Sequence, residues 1–118
     1  MKIQFLIAVN DRDYTEHLSK VLVERYSDTF DVYICTSLER IKDTFARQKI
    51  DVVLCDTNFT QTVQMFPAKQ QLLLWDQSVQ SSEEEHMPYI YKYQRISSIV
   101  SEVLEQYAAV SAFGNQPG

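Results

Sequence analysis

The chain begins with a segment that is apolar on both alternating sets of positions. Ile3, Phe5, Ile7 and Val9 share one face of an extended strand, and Gln4, Leu6 and Ala8 share the other. A strand mostly apolar on both sides belongs inside a sheet covered on each face by helices. The pattern then breaks at Asn10, Asp11, Arg12 and Asp13, and the apolar period lengthens. Tyr14, Leu18, Val21, Leu22 and Tyr26 form one stripe of a helix reaching about Tyr26. Asp13 with Glu16 has the spacing of a capping box at its start.

The cycle repeats. FDVYIC, residues 30–35, reads as a second strand, and Thr36 with Glu39 as a second capping box. A helix follows to about Gln48, with Leu38, Ile41, Phe45 and Ala46 inward. Asp51 to Cys55 is a third strand, with Asp56 at its carboxyl end. Over 57–70 the apolar Met65 and Phe66 are followed by Pro67, which limits any helix to a short one. Gln71 to Trp75 is a fourth strand. The polar stretch 76–88 allows a loop or a short helix from Ser82, and Tyr89 to Tyr91 is a short fifth strand. Ile96, Ile99, Val100, Val103, Leu104 and Tyr107 mark the inner side of a last helix over about Ile96 to Ala109. Residues 1–110 thus read as one domain, and 111–118, ending FGNQPG, as a linker or chain end. Strands alternating with helices imply right-handed crossovers and a parallel sheet between two helical layers. Ligands of such sheets meet the carboxyl ends of the strands. Asn10, Asp11, Asp56, Asp76 and Lys92 all fall there.

Charge and composition narrow the function. A net charge of -5 argues against broad contact with nucleic acid or anionic lipid. No run approaches the length of a membrane span, and the apolar start lacks a small-residue cleavage site, so a cytoplasmic domain without membrane insertion is the expectation. The two glycines, Gly114 and Gly118, lie in the tail, which leaves no glycine-rich phosphate loop. Cys35 and Cys55, placed on neighbouring strands, read as reduced core thiols. His17 and His86 lack partners at ligand spacing and read as surface residues. Glu83, Glu84 and Glu85 read as a solvated face. No Cys-His or Ser-His-acid set has positional support, and no enzyme activity is expected.

SLERIKDTFARQKIDVVLCD, residues 37–56, resembles the second helix, third strand and phosphoacceptor aspartate of a response-regulator receiver domain. The likeness extends over nearly the whole chain. It implies a three-layer flavodoxin-like fold with five parallel strands in order 2-1-3-4-5. By the same likeness Asp56 stands at the phosphoacceptor position, Asn10 and Asp11 where receivers carry the acidic pair that holds Mg²⁺, and Lys92 at the receiver lysine. Such a set has a physical logic. A carboxylate attacks a phosphoryl donor only if the donor's charge is met, and Mg²⁺ with oxygen ligands and a lysine ammonium can meet it. Mg²⁺ held by Asn10, Asp11 and Asp56 is thus one expectation, though no cofactor is required.

The departures are as informative. Asn10 replaces a carboxylate. Asp76 stands in LLLWD where receivers carry a Ser or Thr that closes on the phosphoryl group, and an ionised carboxylate there repels phosphate. Tyr93 follows the lysine in place of the usual proline. Only 36 positions separate Asp56 from Lys92, so helices three and four must be shortened. An ion pair between Lys92 and Asp56, without chemistry, is one consequence. Among atypical receivers the chain is similar to the N-terminal domain of ParA/MinD-like ATPases that localise tight-adherence pilus machinery, with YKYQ at 91–94 supporting the likeness. That likeness implies an ATPase beyond residue 118 and a non-catalytic signalling or assembly role, through a homo-oligomer or a partner protein. Tyr89, Tyr91, Tyr93, Ile96, Val100 and Val103 are the candidate interface. The alternatives are a working receiver phosphorylated on Asp56 with Mg²⁺, and a purely structural spacer.

Overall fold

The computed structural model describes residues 2–76 and 88–114, with side chains to Val110. Its elements follow in the order β1 (Ile3–Ala8), α1 (Arg12–Arg25), β2 (Phe30–Cys35), α2 (Leu38–Arg47), β3 (Val52–Cys55), α3 (Thr60–Gln64), β4 (Gln70–Trp75), β5 (Tyr89–Tyr91) and α4 (Ile96–Gly114). The strands form one parallel sheet in the order β2-β1-β3-β4-β5. This is the flavodoxin-like α/β arrangement expected.

The period-two alternation sorts the core into two layers. Phe5, Ile7 and Val9 of the first segment join Val52, Leu54, Leu72, Leu74 and Ile90 on one face. Leu18 and Leu22 of α1 and Ile99, Val100 and Val103 of α4 cover that face. Leu6, Ala8, Val53, Cys55 and Leu73 point the other way, beneath Ile41 of α2 and Val63 of α3. β1 and β3 are buried on both sides because each has sheet neighbours and a helix layer above and below. The edge strand β2 is half-buried over its middle four residues, and a polar set fastens it to β1. Tyr33 donates its hydroxyl to Gln4 Oε1 at 2.7 Å, and Gln4 Nε2 donates to Asp31 at 2.7 Å.

Several local expectations shift. Asp11, not Asp13, caps α1, accepting the Tyr14 N–H at 3.1 Å. Ser37, not Thr36, caps α2, accepting the Arg40 N–H at 3.3 Å. Leu38 and Ala46 are exposed rather than inward, because α2 turns only a narrow stripe around Ile41 and Phe45 to the sheet. The last helix runs on to Gly114 instead of stopping near Ala109. Helix α3 has five residues, the shortening the spacing requires, and Pro67 follows soon after it. The place of a fourth receiver helix, the Ser82 start and the Glu83–Glu85 run with His86 lie outside the described residues. Cys35 and Cys55 are both buried free thiols. They are not on neighbouring strands: both pair with Ala8, from opposite sides of β1. Two strand spacings, roughly 10 Å, separate them, beyond disulfide reach.

Candidate functional site

Four strands deliver the predicted residues to one end of the sheet. β1 ends before Asn10 and Asp11, β3 before Asp56, β4 before Asp76 and β5 before Lys92. Their carboxyl ends are levelled by the ladder: Asp56 N–H donates to Ala8 O at 3.1 Å and Lys92 N–H to Trp75 O at 2.8 Å. All five residues line one small cleft of about 230 Å³, together with Thr57 and Asn58. The topology therefore assembles the receiver constellation.

Within it Asp56 and Lys92 take separate partners. Asp56 closes an Asx turn, with Oδ1 accepting the Asn58 N–H at 3.0 Å. Its Oδ2 accepts the Asn10 N–H at 2.7 Å and the Asn58 side-chain amide at 3.4 Å. Both oxygens of the acceptor carboxylate are thus held by N–H donors from two loops.

Lys92 is turned toward α1. Its ammonium pairs with Asp11 Oδ2 at 2.9 Å, which replaces the expected pair with Asp56. It lies 5.0 Å from the centre of the Tyr14 ring and 5.5 Å from that of Tyr93, so two aromatic faces flank it. The Tyr14 hydroxyl reaches the Lys92 carbonyl at 3.5 Å. Only 12% of the Lys92 side chain is exposed, against 44% for Asp11. The hydrogen bond from Lys92, then the Tyr14 N–H, hold the Asp11 carboxyl below its ordinary range. Burial works against the charge of Lys92, yet the bond and attraction of Asp11, helped by Tyr93 and Asp76, raise its pKa. Burial, then Asp11 and Tyr93, push Tyr14 up to about 12.

Mg²⁺ held by Asn10, Asp11 and Asp56 would compete with bonds these groups already make. Mg²⁺ needs free, hard oxygen ligands in octahedral order. Asp11 instead spends one oxygen on the α1 cap and the other on an ammonium, and both Asp56 oxygens accept N–H groups. Among the described residues no three His, Cys, Asp or Glu side chains gather as a metal site.

The interface candidates divide. Tyr89 and Tyr93 are exposed, and Tyr91 is half-buried. Their rings continue from Trp75 as edge-on contacts: Trp75–Tyr89 at 5.1 Å, Trp75–Tyr91 at 6.5 Å and Tyr91–Tyr93 at 5.9 Å. Val100 and Val103 are buried against the sheet, and Ile96 packs partly on the same core. The apolar stripe of α4 faces inward and offers no contact surface. Two site residues escaped the sequence reading. Tyr14 was placed only in a core stripe, although an aromatic three residues after a capping aspartate can roof a cation there. Asn58 completes the Asp-x-Asn pattern of an Asx turn.

A family model described as TadZ-like, receiver domain matches residues 1–108. The chain belongs to this family. No curated protein is similar enough to count as a relative. Solved receiver structures share the fold at low identity. A Francisella response-regulator receiver domain is 14% identical with a TM-score of 0.64, over 92% of this chain and 98% of the other. A Thermotoga maritima response regulator is 14% identical with a TM-score of 0.65, over 92% and 99%. A receiver domain protein from Bacillus halodurans is 13% identical with a TM-score of 0.60, over the whole of both chains. The TadZ-like receiver domain is therefore a receiver-like signalling domain.

Proposed function

We propose that this TadZ-like receiver domain is a non-catalytic contact module that positions a larger protein, a ParA/MinD-like ATPase of pilus assembly following residue 118, in the cytoplasm. The observation that carries the reading is the Lys92–Asp11 pair. In phosphotransfer the lysine meets the incoming phosphoryl oxygens and the acidic loop holds the metal. Here the two groups satisfy each other at 2.9 Å, and turning them to phosphate and Mg²⁺ first requires that bond to break. Asp76 adds a carboxylate where a hydroxyl would close on the phosphoryl group. The exposed Tyr89 and Tyr93, carried on the edge strand and the loop after it, supply the contact surface, with self-association as its use.

Incubation with acetyl phosphate and Mg²⁺, read by intact mass, tests the first half. The expected result is no stoichiometric phosphoryl gain. A gain of one phosphoryl group that disappears in Asp56→Asn would establish the working-receiver alternative instead. Sedimentation of the domain and of Tyr89→Ser/Tyr93→Ser tests the second half. Concentration-dependent association weakened by the substitutions is expected, and a strict monomer at high micromolar concentration refutes self-association.

A further inference from the structure

At the opposite end of the sheet from Asp56, α2 runs out beside the segment leading into β4. The two enclose an open cleft of about 540 Å³. Its floor is apolar: Ile50 is buried beneath it, and Phe45 and Ala68 pack on the same core layer. Phe45 is fixed by a parallel stack on Phe66, with centroids 4.8 Å apart and planes 7° from parallel. Arg47, Lys49 and Lys69 stand around this floor, and among the described residues no acidic side chain lines it. In a chain of net charge -5, that is a local reversal of sign.

The cations are available to a partner. Arg47 pairs with Asp43 at 3.2 Å and Lys69 with Asp51 at 3.8 Å, but the two cationic side chains are 75% and 50% exposed. Lys69 also lies 5.8 Å from the centre of the Tyr107 ring. The Arg47–Asp43 pair is exposed on both sides and weak, and the Lys69–Asp51 contact is long, with Asp51 only 15% exposed. Lys49 has no ion-pair partner among the described residues. An apolar floor with a cationic rim is complementary to a large apolar side chain flanked by carboxylates.

We infer that this cleft docks an acidic segment of a separate protein, seating one large apolar side chain over Ile50 and Ala68 while its carboxylates meet Arg47, Lys49 and Lys69. The site lies at the opposite end of the sheet from Asp56 and is lined by neither Tyr89 nor Tyr93, so it stands or falls separately from the proposed function.

The test uses a fluorescein-labelled peptide of sequence Asp-Glu-Phe-Leu-Glu-Asp, with Lys-Arg-Phe-Leu-Arg-Lys as control, followed by anisotropy and amide shifts. The acidic peptide is expected to bind at least about tenfold tighter than the control, because steering and register follow charge complementarity. Amide shifts should centre on Gln48–Ile50 and Ala68–Lys69. Lys49→Glu/Lys69→Glu should weaken binding at least about tenfold, and Ala46→Glu, at an exposed helical position, should weaken it too. Circular dichroism checks that both variants keep their fold. Equal binding of the two peptides, shifts elsewhere, or unchanged affinity in the folded charge-reversal variant would overturn the inference. Self-association abolished by Lys49→Glu/Lys69→Glu would make a second copy the occupant and overturn it equally.

Discussion

Removing the Lys92 ammonium while keeping its stem tests the central electrostatic claim. Lys92→Met leaves an apolar chain between the Tyr14 and Tyr93 rings and deletes the charge that meets Asp11. At 2.9 Å, two unit charges in a water-like dielectric attract by about 1.4 kcal/mol. The 44% exposure of Asp11 argues for that dielectric, and the order imposed on two side chains takes part of the gain back. Aromatic faces at 5.0 and 5.5 Å add of the order of 0.5–1 kcal/mol to holding the cation in place. The single substitution should therefore destabilise by about 1–2 kcal/mol, lowering Tm by about 4–8 °C for a domain of this size. The decisive quantity is the coupling in a double-mutant cycle with Asp11→Asn, which keeps an equally good α1 cap. It should be about 1 kcal/mol by urea denaturation. Coupling within about 0.3 kcal/mol of zero, or a larger coupling between Lys92→Met and Asp56→Asn, would show that Lys92 serves Asp56 after all.

Asp11→Ala removes cap and ion pair together and should cost about 1–2 kcal/mol more than Asp11→Asn, by the same denaturation. The pair also sets a pH dependence. The lowered pKa of Asp11 gives stability fully present above the ordinary carboxylate range and lost as pH falls through the lowered value. The raised pKa of Lys92 gives stability present below the ordinary lysine range and lost as pH rises through the raised one. The acid loss should be under about 1 kcal/mol, given the exposure of Asp11, and Asp11→Asn should remove it from the denaturation profile. Burial outweighs the Thr44 hydrogen bond and the Arg40 charge and leaves the Cys35 thiol with a raised pKa, so neither Cys35 nor the buried Cys55 should react with a disulfide reagent until denaturant is added. Leu54→Ala, in the fully buried β3, should cost about 2–5 kcal/mol by urea denaturation, much of the stability of a domain this small.

The layers of the fold were legible because they rest on periodicity. Alternation in β1 separates Phe5 and Ile7 from Leu6 and Ala8, and those sets pack on opposite faces. The helix stripes 18–22 and 99–103 pack where their spacing puts them. Cap positions slipped by one or two residues because Asp11, Asp13, Thr36 and Ser37 are all good caps, and only backbone geometry chooses among them. The cysteine adjacency failed for a topological reason: order 2-1-3 inserts β1 between two strands that follow each other in the chain. The exposures of Leu38 and Ala46 escaped because they depend on how far α2 is rolled about its axis, which its apolar pattern fixes only loosely.

At the candidate site, position was legible and the lysine's partner was not. Strand ends place Asp56, Asp76 and Lys92 together, and residue identities mark them as altered. Which acid the lysine chooses depends on features no spacing records. Asp56 is already supplied with N–H donors by Asn10 and Asn58, so its charge is partly met before any cation arrives. Asp11 has one oxygen on its helix cap and the other open, beside Tyr14. Tyr93, in the place of the receivers' proline, adds a second ring on the lysine's flank. The backbone N–H of Asn10 and an Asx turn satisfy the acceptor, and two tyrosine rings flank the lysine at Asp11. On the proposed reading, a return to phosphotransfer needs Lys92 freed from Asp11 and its rings, Asp76 exchanged for a hydroxyl, and Asn10 for a carboxylate.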